Sequence, residues 1–340
     1  MNSKMLAEAL ASGDAVQAQL DLSEPFLIAL AQRLRQTAPH VVMTVARGSS
    51  DHAASYFAYL AMRLTGVPVA SLPMSVVTLH HSPMRVTGQP VIAFSQSGQS
   101  PDLVDSLKNL REAGALTAAM VNAKGSPLEH ACEYGLPLNA GAELSVAATK
   151  SFIATLSASA RVVAHWAQDA DLLAAGQTLP ERLREAARQD WSEAITGLKD
   201  CQRLMVIGRG LGFAIAQEAA LKFKETSGVQ AEAFSSAEVR HGPMALVDEH
   251  YPMLVFAPRG AEQAGLLQLA ADMRERGARV LLAAPADIAE RDLTLVCADH
   301  PALDPILAIQ SFYVMAAGLA HARGLNPDQP RHLSKVTRTH

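Results

Sequence analysis

The chain has 340 residues, of which 49% are apolar and 18% charged, and its net charge is −4. That composition is globular rather than disordered, and the length suits two domains, each able to bury its own core. Charges of both signs are mixed throughout, so no basic stripe points to nucleic acid or an anionic membrane, and an anionic ligand must be gripped by local groups.

Cys132, Cys201 and Cys297 stand far apart with no second Cys or His at ligand spacing, which argues for reduced thiols and against a disulfide framework or zinc site. The N-terminal stretch carries Glu8 and Asp14 and lacks the apolar core of a secretory signal. No run is expected to reach the roughly 18 apolar residues of a membrane span. These features lead us to expect a soluble, cytoplasmic protein without a metal or redox cofactor.

Taken in chain order, two helical patterns at 3–20 and 23–38 come first. Short apolar runs of strand length then follow near 41–46, 67–71, 91–95, 116–121 and 135–138, with helical patterns between them. A long helix near 146–169 and a charged one near 180–197 lead to a second series of strands near 204–208, 230–234, 252–257, 279–284 and 293–297. The second series repeats the first. Gly48 after the first strand answers to Gly210 at a distance of 162 positions, Gly98 to Gly260 at the same distance, and Gly114 to Gly277 at 163. Three matches in register mark a duplication. Strands alternating with helices predict an α/β protein of two doubly wound parallel-sheet domains in tandem. The expected divisions are N-terminal helices at 1–38, a first domain at 39–170, a linker helix at 171–195, a second domain at 196–328 and a tail at 329–340.

Ligands in such sheets bind beyond the carboxyl ends of the strands. In the first copy two of these ends are rich in hydroxyls: Gly48-Ser49-Ser50-Asp51, and Ser95-Gln96-Ser97-Gly98-Gln99-Ser100 followed by Pro101. Serine donors, glycine turns and helix N-termini together make a phosphate cradle that needs no added cation. Ser and Gly are also what turns and helix caps prefer. The equivalent turns of the second copy, Arg209-Gly210-Leu211-Gly212 and Pro258-Arg259-Gly260, contain no serine, so the hydroxyls of the first copy point to a ligand.

In the second copy, Glu218, Lys222 and Glu225 fall at i, i+4 and i+7 of one helical face. The same spacing serves a solvated salt-bridge face. A helical wheel sets both carboxylates at the edge of the apolar stripe Ile215, Ala219 and Phe223, with Lys224 on the opposite side. Partial burial and a neighbouring lysine are how a general base is tuned. Downstream, Glu238, Arg240 and His241 crowd before a Gly242-Pro243 turn, and the tail carries Gln329-Pro330-Arg331 and Lys335.

In this order, the Ser95-Gln96-Ser97-Gly98 loop, the Glu143-to-Lys150 stretch, the Glu218-to-Glu225 helix, the Glu238-to-Pro243 turn and the Gln329-Pro330-Arg331 tail resemble the isomerase half of glucosamine-6-phosphate synthase, a tandem of sugar isomerase (SIS) domains. The resemblance implies that Ser50, Ser95, Gln96, Ser97 and Ser100 bind a phosphate, with Ser49 in the same loop, and that the backbone from Val146 to Ala148 lies near a sugar. It implies that Glu225, beside Lys222 and Glu218, shuttles a proton between C1 and C2, that His241 assists ring opening, and that Lys335 meets the carbonyl carbon. It further implies a homodimer in which the His241 loop serves the neighbouring subunit's site, and a phosphorylated amino sugar as substrate.

Three departures stand out. Arg47 replaces the usual Cys, Ala148 replaces the usual Ser, and no glutaminase domain precedes these motifs. The Ala46-Arg47-Gly48-Ser49-Ser50-Asp51-His52 form is similar to that of stand-alone SIS-type glucosamine-6-phosphate deaminases. The expectation is therefore a deaminase. Galactosamine 6-phosphate or fructosamine 6-phosphate as substrate, a glutaminase-less synthase, and a non-catalytic sugar-phosphate sensor are the alternatives.

Overall fold

Uninterrupted runs of Val, Ile, Leu and Ala make strands that can be covered on both faces, and these runs form two separate parallel sheets in the computed structural model, which describes residues 3–335. The first sheet contains β1 (Val42–Val45), β2 (Val69–Ser71), β3 (Pro90–Ser95), β4 (Leu116–Val121) and β5 (Tyr134–Pro137), in the order β2-β1-β3-β4-β5. The second contains β6 (Arg203–Gly208), β7 (Gln230–Ser235), β8 (Pro252–Phe256), β9 (Arg279–Pro285) and β10 (Leu293–Leu295). Read from its β7 edge, its order is β7-β6-β8-β9-β10. The two orders are the same doubly wound topology, as the duplicated sequence predicts.

The chain divides into two compact units. The first-sheet unit comprises residues 14–143 and 150–177 with the tail from Ser334. The second-sheet unit comprises the residues up to Gly13, Leu144–Thr149 and Thr178–Leu333.

In the first-sheet unit, α3 (Ser49–Thr65) follows β1, the short α4 (Met74–Thr78) follows β2, α5 (Pro101–Glu112) follows β3, the short α6 (Pro127–Ala131) follows β4, and α7 (Lys150–Ala167) is buried along nearly its whole length. One face of the sheet packs Met43, Val45, Val91 and Ala93 against Leu103, Leu107 and Leu110 of α5.

In the second-sheet unit, alternate strand residues face opposite layers. Met205, Ile207, Met253 and Val255 pack against Leu266, Leu269 and Met273 of α11 (Gln263–Glu275). On the other side, Phe223 of α10 (Leu211–Ser227) meets Phe312 of α12 (Asp304–Ala322) edge to face, with ring centroids 5.1 Å apart. The short α1 (Lys4–Leu10) closes this unit from the far end of the sequence. Asp328 accepts hydrogen bonds from the Lys4 and Met5 amides, both at 2.8 Å, and Gln310 of α12 donates to the Ala9 carbonyl at 2.8 Å.

Four expectations are corrected here. The N-terminal helical region breaks at Ala11, not near residue 21, and α2 (Ser12–Thr37) runs unbroken through Pro25. The helix expected from 146 begins at Lys150, because Leu144 to Thr149 is irregular. The charged linker region forms two helices, α8 (Ala170–Ala186) and α9 (Ser192–Leu198). Finally, residues 301–322, which contain α12, are long and apolar enough to span a bilayer, with mean hydropathy 1.4. However, 89% of that window is buried within the protein, as in a core helix.

Candidate active site

Sheet order decides where the first copy can hold a ligand. With strands ordered 2-1-3-4-5, the crevice opens between the carboxyl ends of the first and third strands. In β1 and β3 the register pairs Val45 with Ala93, so Arg47 and Ser95, two residues further on, leave the sheet side by side. Both serine loops therefore meet at the switch point. Gly48 caps α3 with φ 55° and ψ −132°, and Ser49 and Ser50 form the first turn, where backbone amides have no helical acceptor. Ser95 accepts a hydrogen bond from the Gly98 amide at 2.9 Å, which curls the second loop and leaves the hydroxyl proton of Ser95 to be donated. Ser97 accepts from Gln99 at 3.3 Å, and Ser100 caps α5 ahead of Pro101. Gln96 is half-buried in the same loop.

The second copy supplies a comparison. Gly210 caps α10 with φ 56° and ψ −130°, nearly the angles of Gly48, in a turn without hydroxyls. Turn geometry thus does not account for the serines.

Beside these loops stands a cation that the sequence reading left out of the cradle. Arg47 donates to the buried Asp102 in the first turn of α5 through both Nε and Nη2 at 3.0 Å, which ties the end of β1 to the start of α5. Burial raises the pKa of Asp51, with His52 and Arg47 acting in the opposite direction.

In the second-sheet unit, the face that could have been solvated is buried. The Glu218 side chain is 0% exposed, Lys222 1% and Glu225 18%. Lys222 Nζ lies 2.5 Å from Glu225 Oε2 and 3.3 Å from Glu218 Oε1, and Tyr313 of α12 donates to that same Glu218 oxygen at 3.0 Å. Burial works against the ammonium of Lys222. The carboxylates of Glu218 and Glu225 outweigh it, and the pKa is pushed up to about 12. A lysine held in this state is a fixed cation and no proton acceptor at neutral pH. The ammonium sits closer to Glu225 than to Glu218, and Glu225 is the more accessible of the two carboxylates. Glu225 opens into a cavity of about 930 Å³ lined in part by Leu221, Lys224, Gln329, Arg331 and Leu333.

His241 is not brought to Glu225 within this unit. It ends an exposed 3-10 turn, Glu238–His241, whose Val239 packs among the α11-side core residues, whereas the Phe223 neighbour of Glu225 packs on α12. Lys335 lies in the first-sheet unit, 3.6 Å from Glu143, which also accepts from the Ser151 amide at 3.1 Å and from the Ser151 hydroxyl. Val146 and Ala148 are half-buried and alternate with buried Ser145, Ala147 and Thr149. This segment is fixed by Glu8 of α1, which accepts from the amides of Leu144 and Ser145.

A profile of the SIS domain matches residues 37–163 and 197–287, one match on each sheet. The chain belongs to the SIS family. Among curated relatives it is 34% identical over 324 residues to the glutamine–fructose-6-phosphate aminotransferase (isomerizing) of Aeropyrum pernix, with 87% of this chain and 50% of that one aligned. The chain spans about half the length of the curated relatives it matches. A solved protein from Silicibacter pomeroyi, provisionally described as a phosphosugar isomerase, superposes with a TM-score of 0.91 at 40% identity, covering 96% of this chain and 100% of that one. The glucosamine-6-phosphate deaminase of Thermotoga maritima shares the fold, with a TM-score of 0.74 at 22% identity and coverage of 99% and 100%.

Set in this SIS pair, several residues were not legible as parts of the site. Tyr313 sits in an apolar helix 95 positions from its partner Glu218. Only helix packing on the shared sheet face brings them together. Glu143 opens one of the matched motifs with no chemistry of its own to mark it, yet it is the buried partner of both Ser151 and Lys335. A carboxylate whose partners lie 8 positions or further along the chain leaves no local periodic signal.

Proposed function

We propose that this SIS protein is a glucosamine-6-phosphate deaminase: glucosamine 6-phosphate and water give fructose 6-phosphate and ammonia. The observation that carries the reading is the buried Glu218–Lys222–Glu225 array, in which Glu225 alone of the two carboxylates is accessible. Partial burial favours the neutral carboxyl that forms when a proton is taken from carbon, which suits Glu225 to act as the base.

In this reading the hydroxyls and amides of Ser49, Ser50, Ser95, Ser97 and Ser100, with Gln96, hold the phosphate, and the backbone from Val146 to Ala148 lines the sugar. His241 of a partner subunit opens the pyranose. Glu225 removes the C2 proton, whose electron pair forms the C1–C2 double bond of an enolamine while O1 is protonated. Glu225 then returns the proton to C1, which leaves an imine at C2. Water adds to the imine and ammonia departs. Lys335 adds its amine to the ketose carbonyl in the reverse sense. A homodimer belongs to this reading, which is supported by the absence of His241 from the described residues lining the Glu225 cavity. No step calls for a metal or redox cofactor.

The test is ammonia release from glucosamine, galactosamine and fructosamine 6-phosphates by the purified protein. Fastest turnover is expected with glucosamine 6-phosphate. Turnover confined to another of the three reassigns the substrate, and no turnover with any of them, while sugar phosphate binds, favours a sensor.

A further inference from the structure

Tyr313 occupies a position where a hydroxyl is costly. Helix α12 is the apolar spine of the second-sheet unit, and Phe312 on the same turn packs with Phe223 and Phe256. Burying an unbonded hydroxyl is unfavourable, so a tyrosine with no solvent exposure needs a partner. Its partner here is Glu218, and both side chains are inaccessible to water.

The bond falls on a particular atom. Oε1 of Glu218 receives Tyr313 at 3.0 Å and faces the ammonium of Lys222 at 3.3 Å. The ammonium makes its shorter contact, 2.5 Å, with Glu225. A carboxylate in a dry site draws every donor within reach. A neutral hydroxyl on Glu218 supplies part of that demand without adding charge, and the ammonium is left nearer the other carboxylate.

Resting on the reading of Glu225 as the proton shuttle, we propose that Tyr313 is a positioning residue for it. By donating to Glu218, it sets how Lys222 divides itself between the two carboxylates and so holds Glu225 Oε2 in place at the cavity. Tyr313 touches no substrate in this scheme. Its influence passes through Glu218 and Lys222.

Tyr313→Phe removes the hydroxyl and keeps the buried ring. The assay is exchange of the C2 hydrogen of glucosamine 6-phosphate for deuterium in D2O, alongside kcat, KM and the thermal midpoint. The expected result is a roughly tenfold fall in both kcat and exchange, with KM within about twofold and little change in the thermal midpoint. Combined with Glu218→Gln, the Tyr313→Phe change should cost nothing further, because the hydroxyl then has no carboxylate to act through. Wild-type rates in Tyr313→Phe, or losses that multiply in the double variant, overturn the inference. Should the phenylalanine variant not fold, Tyr313→Gln keeps a donor without the ring. Activity per folded molecule that remains within a few-fold of wild type supports the inference, and its collapse overturns it. A wild-type protein that exchanges no substrate hydrogen overturns the function itself and this inference with it. Exchange in the wild type with no effect of Tyr313→Phe overturns the inference alone.

Discussion

The amine of Lys335 stands 3.6 Å from Oε2 of Glu143, a carboxylate with no exposed side-chain surface that already receives the amide and hydroxyl of Ser151 at the start of α7. The lysine assigned to carbonyl chemistry is thus held by a fixed anchor. Borohydride reduction in the presence of fructose 6-phosphate should attach the sugar to Lys335, as located by mass spectrometry of the digested protein. Lys335→Met should abolish the adduct, and Glu143→Gln should lower its yield several-fold. Equal labelling of the Lys335→Met protein would remove this lysine from the mechanism.

Lys222 compensates two carboxylates at once. Replacing it with the similarly shaped methionine leaves Glu218 and Glu225 facing each other, at an expected loss of about 3–5 kcal/mol in urea unfolding. Because the folded pKa is raised from 10.5 to about 12, the contribution of Lys222 is fully present below about pH 10.5 and fades as pH climbs toward 12. The gap between wild type and Lys222→Met should narrow over that window. A gap that widens there contradicts the charge assignment.

Each serine of the first-sheet loops is expected to act on binding rather than on chemistry. Ser50→Ala and Ser97→Ala should each raise KM for a phosphorylated substrate about tenfold, as loss of a hydrogen bond to a charged group does, with smaller effects on kcat. Inorganic phosphate should compete with substrate in the wild type, and more weakly in these variants. Unchanged KM in both would place the phosphate elsewhere.

In the proposed homodimer His241 serves the site of the neighbouring subunit, so variants lacking His241 or Glu225 should complement. Mixing Glu225→Gln with His241→Asn after dissociation and reassociation should restore about a quarter of wild-type turnover, since half of randomly formed dimers then hold one intact site. Mixtures as inactive as their components would argue against sites shared between subunits.

Glu24 of α2 accepts from Arg161 Nε at 2.7 Å and contacts His165 Nε2 at 2.7 Å, both on α7. Burial works to raise its pKa, but hydrogen bonds from Arg161 and His165 prevail and lower it below the ordinary 4.5. A depressed carboxylate stabilises the fold above its ordinary pKa, and that contribution is lost as pH falls below about 4.5. Glu24→Gln should therefore cost about 2–3 kcal/mol at pH 7, less than for a fully buried pair because the side chain is 26% exposed, and the deficit should shrink in acid. Parallel acid-unfolding curves for the two proteins would refute the pairing.

Strands were the most legible part of the chain. A parallel strand covered on both faces is a plain apolar run, and nothing competes with that signal. Helix starts were less so. Pro25 and Pro180 suggest first turns, yet both sit inside helices, α2 and α8. In α2, the neighbours Gln19 and Ser23 are bonded to the carbonyls of Leu138, Ala154 and Pro137, contacts that a local pattern cannot anticipate. Helix α10 was half legible. Its wheel put Glu218 and Glu225 at the apolar edge, but full burial of Glu218 and Lys222 depends on α12, whose Tyr313 comes 95 positions later.

The bonds from Asp328 to the amides of Lys4 and Met5 also bear on synthesis. The opening helix of the chain cannot take its final place until Asp328 has left the ribosome, more than three hundred residues later. At 5–20 residues per second that delay is roughly a quarter of a minute to a minute, during which the apolar flank of α1 has no native mate. A nascent chain in this interval is a natural client for chaperones that shield hydrophobic segments.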